Sequence, residues 1–338
     1  MSLEMGLKNT YRSSYAVTEA LALIIVIMIA TSAVSFIVFW GIPFMEQKKE
    51  SVRADSALTQ LQTINDIIQE VSGKGINGSG MIDFVTDAGQ LSISSSSERF
   101  IFYYSLVNGY DFNVSNFDDD DDKIFTFTEE GTPPFSWDKM TIYYLYNEGL
   151  LLDPGKNPEH ISSLGSDTIP TENILFDAVR IDVKNFSDDL IGRIWLFDPG
   201  SISYKMSTST GTYQMIAENG GVVSMLDNNG YLAYEPTIHH KDNSLVMQII
   251  QLKSGEALKG GSTASATFLI KSNASNVREN KATVTTSFKM QIHGVHSSPW
   301  VNYFKTWHNF NQDGDILYLN DIRSFTLVHS VCDISVVG

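Results

Sequence analysis

Apolar residues follow three successive patterns along the chain. Across residues 20–45 there is no charged residue, and the stretch ALALIIVIMIATSAVSFIVFWGI is apolar on every side. A helix rises 1.5 Å per residue, so about 20 apolar residues cross a hydrocarbon layer of ~30 Å. A buried core helix would be shorter and polar on one face. A cleaved signal peptide would have an apolar region of about 7–15 residues followed by small side chains. Here bulky Phe36, Phe39 and Trp40 stand near the end, and Trp40 suits a membrane interface. The pattern therefore predicts a membrane-crossing helix. Lys8 and Arg12 precede it and Lys48, Lys49 and Arg53 follow it, so basic residues do not set its orientation.

Over residues 46–71 the period becomes helical and one-sided. Ala54, Ala57, Leu58, Leu61, Ile64, Ile67, Ile68 and Val71 recur every three or four positions. This predicts an amphipathic helix stopped by Gly73 and Gly75. Between the two helical patterns lie Gly41 and Pro43. A proline lacks the backbone donor, so a kink or local melting is expected there.

After Gly80 the pattern alternates with period two. Stretches at 99–106, 124–128, 139–146, 178–183, 193–197, 213–217, 245–252, 266–270, 282–292 and 325–331 are rich in Val, Ile, Thr, Phe and Tyr, as strands are. Turn signals such as Asn108-Gly109, Asp198-Pro199-Gly200 and Asn219-Gly220-Gly221 separate them. The fold class expected is α+β. A long N-terminal helix (17–75) precedes a mainly antiparallel, β-sandwich-like head in two stretches, 76–165 and 166–338. The polar segment 158–171 could divide these into two β subdomains.

A chain of 338 residues can bury a core without covalent staples. Its single cysteine, Cys332, excludes an intrachain disulfide and sits in an apolar strand pattern, which reads as core. The net charge of −16 would repel phosphate backbones, so nucleic acid is not an expected partner. Four Asn-x-Ser/Thr tripeptides, at Asn77, Asn113, Asn185 and Asn273, all follow the apolar run. As glycosylation acceptors they would place the β-rich part outside the cell.

Candidate chemistry is sparse. No HExxH, GxSxG or Walker-type loop occurs, and no enzymatic activity is expected. His239-His240 and His293-x-x-His296 could bind metal, but adjacent histidines on loops are more often solvated. Asn309, Asn311, Asp313 and Asp315, with Gly314 between, follow the oxygen-rich alternation of a calcium loop. Ca2+ is thus the candidate cofactor, and a plain Asn/Asp/Gly turn is the other reading. No flanking helix pattern accompanies the loop. The acidic run 118–122 reads as a solvated loop able to attract divalent cations.

Residues Ala16-Val17-Thr18-Glu19-Ala20-Leu21-Ala22 resemble the start of archaeal type IV pilins and pilin-like surface proteins. Glu218-Asn219-Gly220-Gly221-Val222 and Trp300-Val301-Asn302-Tyr303-Phe304 look like motifs in the heads of haloarchaeal relatives. The resemblance implies a leader, residues 1–16, cut by a prepilin peptidase between Ala16 and Val17, with Ser14/Tyr15 as a second option. It implies a homo-oligomeric extracellular filament, held together by bundled apolar helices, with Glu19 facing the free amine of a neighbouring subunit. The chain would lie in the membrane as a precursor and meet the pilus assembly machinery. Without the resemblance, the same residues also fit a permanently anchored surface protein whose head binds an envelope or extracellular partner.

Overall fold

A computed structural model describes residues 3–86, 88–94, 98–115, 124–130, 137–144, 159–162, 168–170, 178–254 and 265–337. The acidic run 118–122 lies outside the described residues. The chain begins with α1 (Leu3–Phe36), passes through a π-helical turn (Ile37–Gly41) and continues as α2 (Ile42–Gly73). Melting at Gly41 and Pro43 does not occur. Instead the Ile42 N–H bonds to the Ile37 carbonyl, five residues back. Widening the helix by one residue absorbs the donor that Pro43 lacks, so the backbone stays helical.

The head, residues 54–207 and 211–338, forms one compact unit, and residues 1–53 with 208–210 form the other. Among the described residues four sheets build the head. The first runs β1 (Ser79–Val85), β17 (Ser265–Thr283), β21 (Ser324–Val337), β16 (Ser244–Ser254) and β15 (Ile238–Lys241). The second is eight-stranded: β19 (Asn311–Asp313), β20 (Ile316–Leu319), β18 (Phe288–His293), β3 (Arg99–Ser105), β10 (Leu190–Phe197), β9 (Ala178–Asn185), β6 (Trp137–Tyr144) and β7 (Glu159–Ser162). The third comprises β14 (Asn229–Tyr234), β13 (Gly221–Leu226), β12 (Gly211–Glu218), β11 (Ser201–Thr208) and β2 (Gln90–Ser94). A small sheet of β4 (Asp111–Ser115), β5 (Ile124–Glu130) and β8 (Thr168–Pro170) completes it. The described pairings are antiparallel apart from β16 beside β21. Because β3 pairs with both β10 and β18, hydrogen bonds run across position 165. The stretches 76–165 and 166–338 are therefore interwoven parts of one body, not two subdomains.

The layers follow from the pleat. Ile250, Leu252, Cys332 and Ile334 of the first sheet share a core with α2, from which Ala54, Ala57, Leu61, Ile64, Ile68 and Val71 are buried. These are the positions the amphipathic pattern marks, with Leu58 and Ile67 packed at the margin. Leu245, Met247, Ile249, Phe325 and Leu327, of opposite parity, share a second core with Phe100, Phe102, Tyr104 and Trp195 of the eight-stranded sheet. A third core lies on that sheet's far face, where Ile101 and Tyr103 join Phe112, Val179, Ile181 and Val183. Strand β3 is thus covered on both faces, which is why it reads Phe-Ile-Phe-Tyr-Tyr without polar alternation.

Helix α3 (Ser297–His308) has no counterpart in the strand-dominated pattern. Its Trp300, Tyr303 and Phe304 fill the second core, and the Trp300 ring meets Phe100 edge-on at 5.2 Å. Between the layers, His329 is fully enclosed. Arg278 Nε donates to its Nδ1 at 3.3 Å, and its Nε2 meets Gln251 Oε1 at 3.1 Å. This pairing fits the neutral tautomer with the proton on Nε2. Burial, then the positive charges of Arg278 and Lys253, depress the imidazole from 6.5 to about 3.

Below pH 6.5 the unfolded imidazole takes up a proton that the folded one refuses. The neutral ring's contribution is complete above pH 6.5 and is lost as pH falls towards about 3. His329→Gln is expected to flatten the fall in melting temperature on acidification through this window. His308, depressed to about 4 by burial and by His240, keeps a smaller slope of the same sign. Thermal denaturation at stepped pH checks this, and a slope equal to that of the parent protein would contradict it.

Candidate functional site: the apolar helix and a polar cleft

The apolar run is exposed on all sides of its helix. Leu21, Ile24, Ile27, Met28, Val34 and Phe36 all face outwards, and Phe39 and Trp40 are 77% and 70% exposed. Among the described residues one helix, Glu19–Gly73, is long and apolar enough to cross a membrane, and its most apolar window has no buried residue. Thr31, within the run, donates its hydroxyl to the Ile27 carbonyl at 2.7 Å, so this polar group is satisfied inside the helix. A helix apolar all round has no water-facing side. It requires lipid or other apolar helices, and each large side chain so covered contributes about 1.5–3 kcal/mol. Glu19 is exposed where the run begins, and Ser14, Tyr15, Ala16 and Val17 lie within α1.

The same helical chain has the opposite character further on, where α2 is gripped by the head. Asn65 Nδ2 and Gln69 Nε2 both donate to the Gly220 carbonyl, at 2.9 and 2.5 Å. Asn219 and Gly220 turn the β12–β13 hairpin with positive φ (46° and 72°), the left-handed region that Asn and Gly tolerate. Asn219 Oδ1 accepts from the Ile250 N–H at 3.1 Å. The Glu-Asn-Gly-Gly-Val stretch is therefore a buried turn joining α2 to the first and third sheets. Glu218 at its base accepts from Trp300 Nε1 at 2.6 Å, so the two head motifs meet.

The candidate calcium residues are placed differently from a wrapped loop. Asn309 is the left-handed C-cap of α3, with φ 56°. Asn311 and Asp313 are exposed residues of β19, which pairs with β20 around a two-residue turn at Gly314 and Asp315. A helix does precede them, but a ladder holds the backbone extended, whereas an ion-binding loop curls its oxygens inwards. Among the described residues no three His, Cys, Asp or Glu side chains are grouped to hold a metal ion.

The four glycosylation candidates differ in environment. Asn77 is exposed at a tight turn, with φ 71°. Asn113 Oδ1 accepts from Lys289 Nζ at 2.7 Å, and Asn185 caps its own turn through Ser187 and Asp189. Asn273 Nδ2, the atom that would carry a glycan, donates to Asp333. Cys332 is buried and free, and burial pushes its thiol up to about 12, which suits core and not a nucleophile.

A polar cleft of about 340 Å3 opens where the ends of β3, β10 and β18 meet β11 and β12. Glu98, Asp198, Glu218, Arg99, His293 and His296 contribute to its walls. Glu98 is only 2% exposed. Its Oε1 accepts the His296 N–H at 2.7 Å and lies 3.0 Å from His296 Nδ1. The His293-x-x-His296 pair is thus divided between two roles, because His293 Nε2 meets Gln291 Oε1 at 3.0 Å. His240, of the other pair, meets the His308 carbonyl through Nδ1 at 3.2 Å. No alternating pattern could have revealed this cleft, since its residues come from five separate strands and loops.

No family model, curated protein or solved structure matches the chain. The chain itself presents one apolar helix that needs covering, followed by an acidic β-rich head.

Proposed function

We propose that the protein is a structural subunit of a type IV pilus-like extracellular filament, which polymerises through its N-terminal helix and displays the β-rich head. The observation that carries the reading is the helix itself. Its apolar surface is uncovered all round before Met45, and its apolar stripe after Ala54 is buried in the head. An apolar rod on a folded head stays out of water away from lipid by packing against other apolar helices, and copies of the same chain supply them. A cut between Ala16 and Val17 would place Glu19 in the first turn of the shortened helix. There the helix dipole and a neighbour's amine would stabilise its carboxylate.

Glu19→Gln is expected to reduce surface filaments at least tenfold, while the head keeps its parent melting temperature. Electron microscopy of sheared surface material and thermal denaturation check the two halves. Normal filament number in the variant would sink the charge-pairing step.

A permanent membrane anchor is the second reading, and one observation favours it. Helix α1 runs unbroken from Leu3 through Ala16 and Val17, so the proposed scissile bond lies in helix, whereas peptidases grip extended chain. In that case the leader stays and the head meets an envelope or extracellular partner.

A further inference from the structure

We propose that the cleft at the strand ends of the head binds a small organic cation, through a primary ammonium or guanidinium group. The inference is independent of filament assembly, because every residue it uses lies in the head.

The first observation is a buried carboxylate half satisfied. Glu98 Oε1 is held by His296, but Glu98 Oε2 is buried and has no hydrogen-bond partner, although the side chain lines the cavity. An orphaned carboxylate oxygen at this depth is costly, and proteins retain such groups where something else completes them. The second observation is that the position is built. Gly294 has φ 146°, and a Cβ there would fall 1.9 Å from Glu98 Oε2. Only glycine leaves room for the carboxylate where it stands. The main-chain N–H of His296 then fixes its other oxygen.

Charge and shape select the ligand class. The described walls carry three carboxylates, Glu98, Asp198 and Glu218, against one guanidinium, Arg99, and two imidazoles, His293 and His296. Glu218 is itself buried and anchored through Oε1 by Trp300. An excess of acceptor oxygens favours a cation with several N–H donors over an anion. A metal ion is a poorer fit, because no three of the described acidic or histidine side chains converge on one point. A cavity of about 340 Å3 takes a molecule of the size of a diamine or an amino-acid side chain. Ser201, Ser203 and Gln214 add neutral polar groups for the remainder of such a ligand.

The test uses the full chain in detergent at fixed ionic strength, with agmatine as the probe because it carries both cationic groups. Isothermal titration calorimetry is expected to show saturable, one-to-one binding. The neutral analogue 1,4-butanediol, galactose and calcium chloride should give none. Glu98→Gln keeps the shape and the Oε1 contact but loses the charge, and should weaken agmatine at least roughly tenfold, the usual scale for a charged hydrogen bond. Asp198→Asn, at a less buried wall position, should weaken it several-fold, and decides the matter if Glu98→Gln does not fold. Agmatine binding no better than butanediol would overturn the proposal. So would equal affinity in the folded variants, or saturation by calcium or galactose in place of agmatine.

Discussion

Lysine at both Ile25 and Met28 is expected to move the protein out of the membrane fraction. Both side chains are exposed in the middle of the apolar run, 49% and 58% respectively. A lysine at the centre of a membrane-crossing helix costs about 2.5–3.5 kcal/mol on insertion scales, so two cost roughly 5–7 kcal/mol. That is a shift of more than a thousandfold in partitioning, at about 1.4 kcal/mol per factor of ten. The head should be untouched, because residues 20–45 contribute nothing to its cores. Carbonate extraction of membranes with immunoblotting of both fractions reads the outcome. A double variant that stays in the pellet, with a folded head, would mean that the apolar run is not the anchor.

Trp300→Ala is expected to bring the head close to unfolding. The indole has no exposed surface, packs against Phe100 and Phe304, and donates to Glu218. Removing a buried tryptophan costs about 3–5 kcal/mol, and a hydrogen bond to a carboxylate adds about 1.5–3 kcal/mol. Whole domains are stable by only about 5–15 kcal/mol. A fall in melting temperature of roughly 10–25 °C is expected at this size. Trp300→Phe keeps the stacked ring and loses the N–H, so its cost should be about half as great. Circular dichroism melts in detergent compare the three proteins, and an unchanged midpoint for Trp300→Ala would refute the packing account.

The helices were legible because their signals are local. Ala54, Leu61, Ile64, Ile68 and Val71 announce a helical face by spacing alone, and that face is buried. Residues 100–104 and 194–197 were legible for the opposite reason: covered on both sides, they are unbroken apolar runs. Several other elements were not. Residues 201–208, Ser-Ile-Ser-Tyr-Lys-Met-Ser-Thr, do alternate polar with apolar groups, but serine, lysine and methionine stand where the recognised strands carry Val, Ile and Phe, and pairing with β2 makes them β11. Helix α3 was hidden because aromatic residues at 300, 303, 304 and 307 favour strands by propensity, while their spacing of three and four is helical. The candidate calcium residues illustrate the same limit. Oxygen-bearing residues at alternate positions suit a curled loop and an exposed hairpin equally, and pairing of 311–313 with 316–318 makes the hairpin. The cleft lay furthest from view. Glu98 and Gly294 are far apart in sequence, and only the fold brings a glycine against that carboxylate.

The most direct test of the filament account is N-terminal mass mapping of the protein in purified surface material, imaged by electron microscopy. The account predicts chains that begin at Val17 or Tyr15 and lie in filaments. Chains that begin at Met1 or Ser2 and occur only in membranes would contradict it and leave the helix as a permanent anchor.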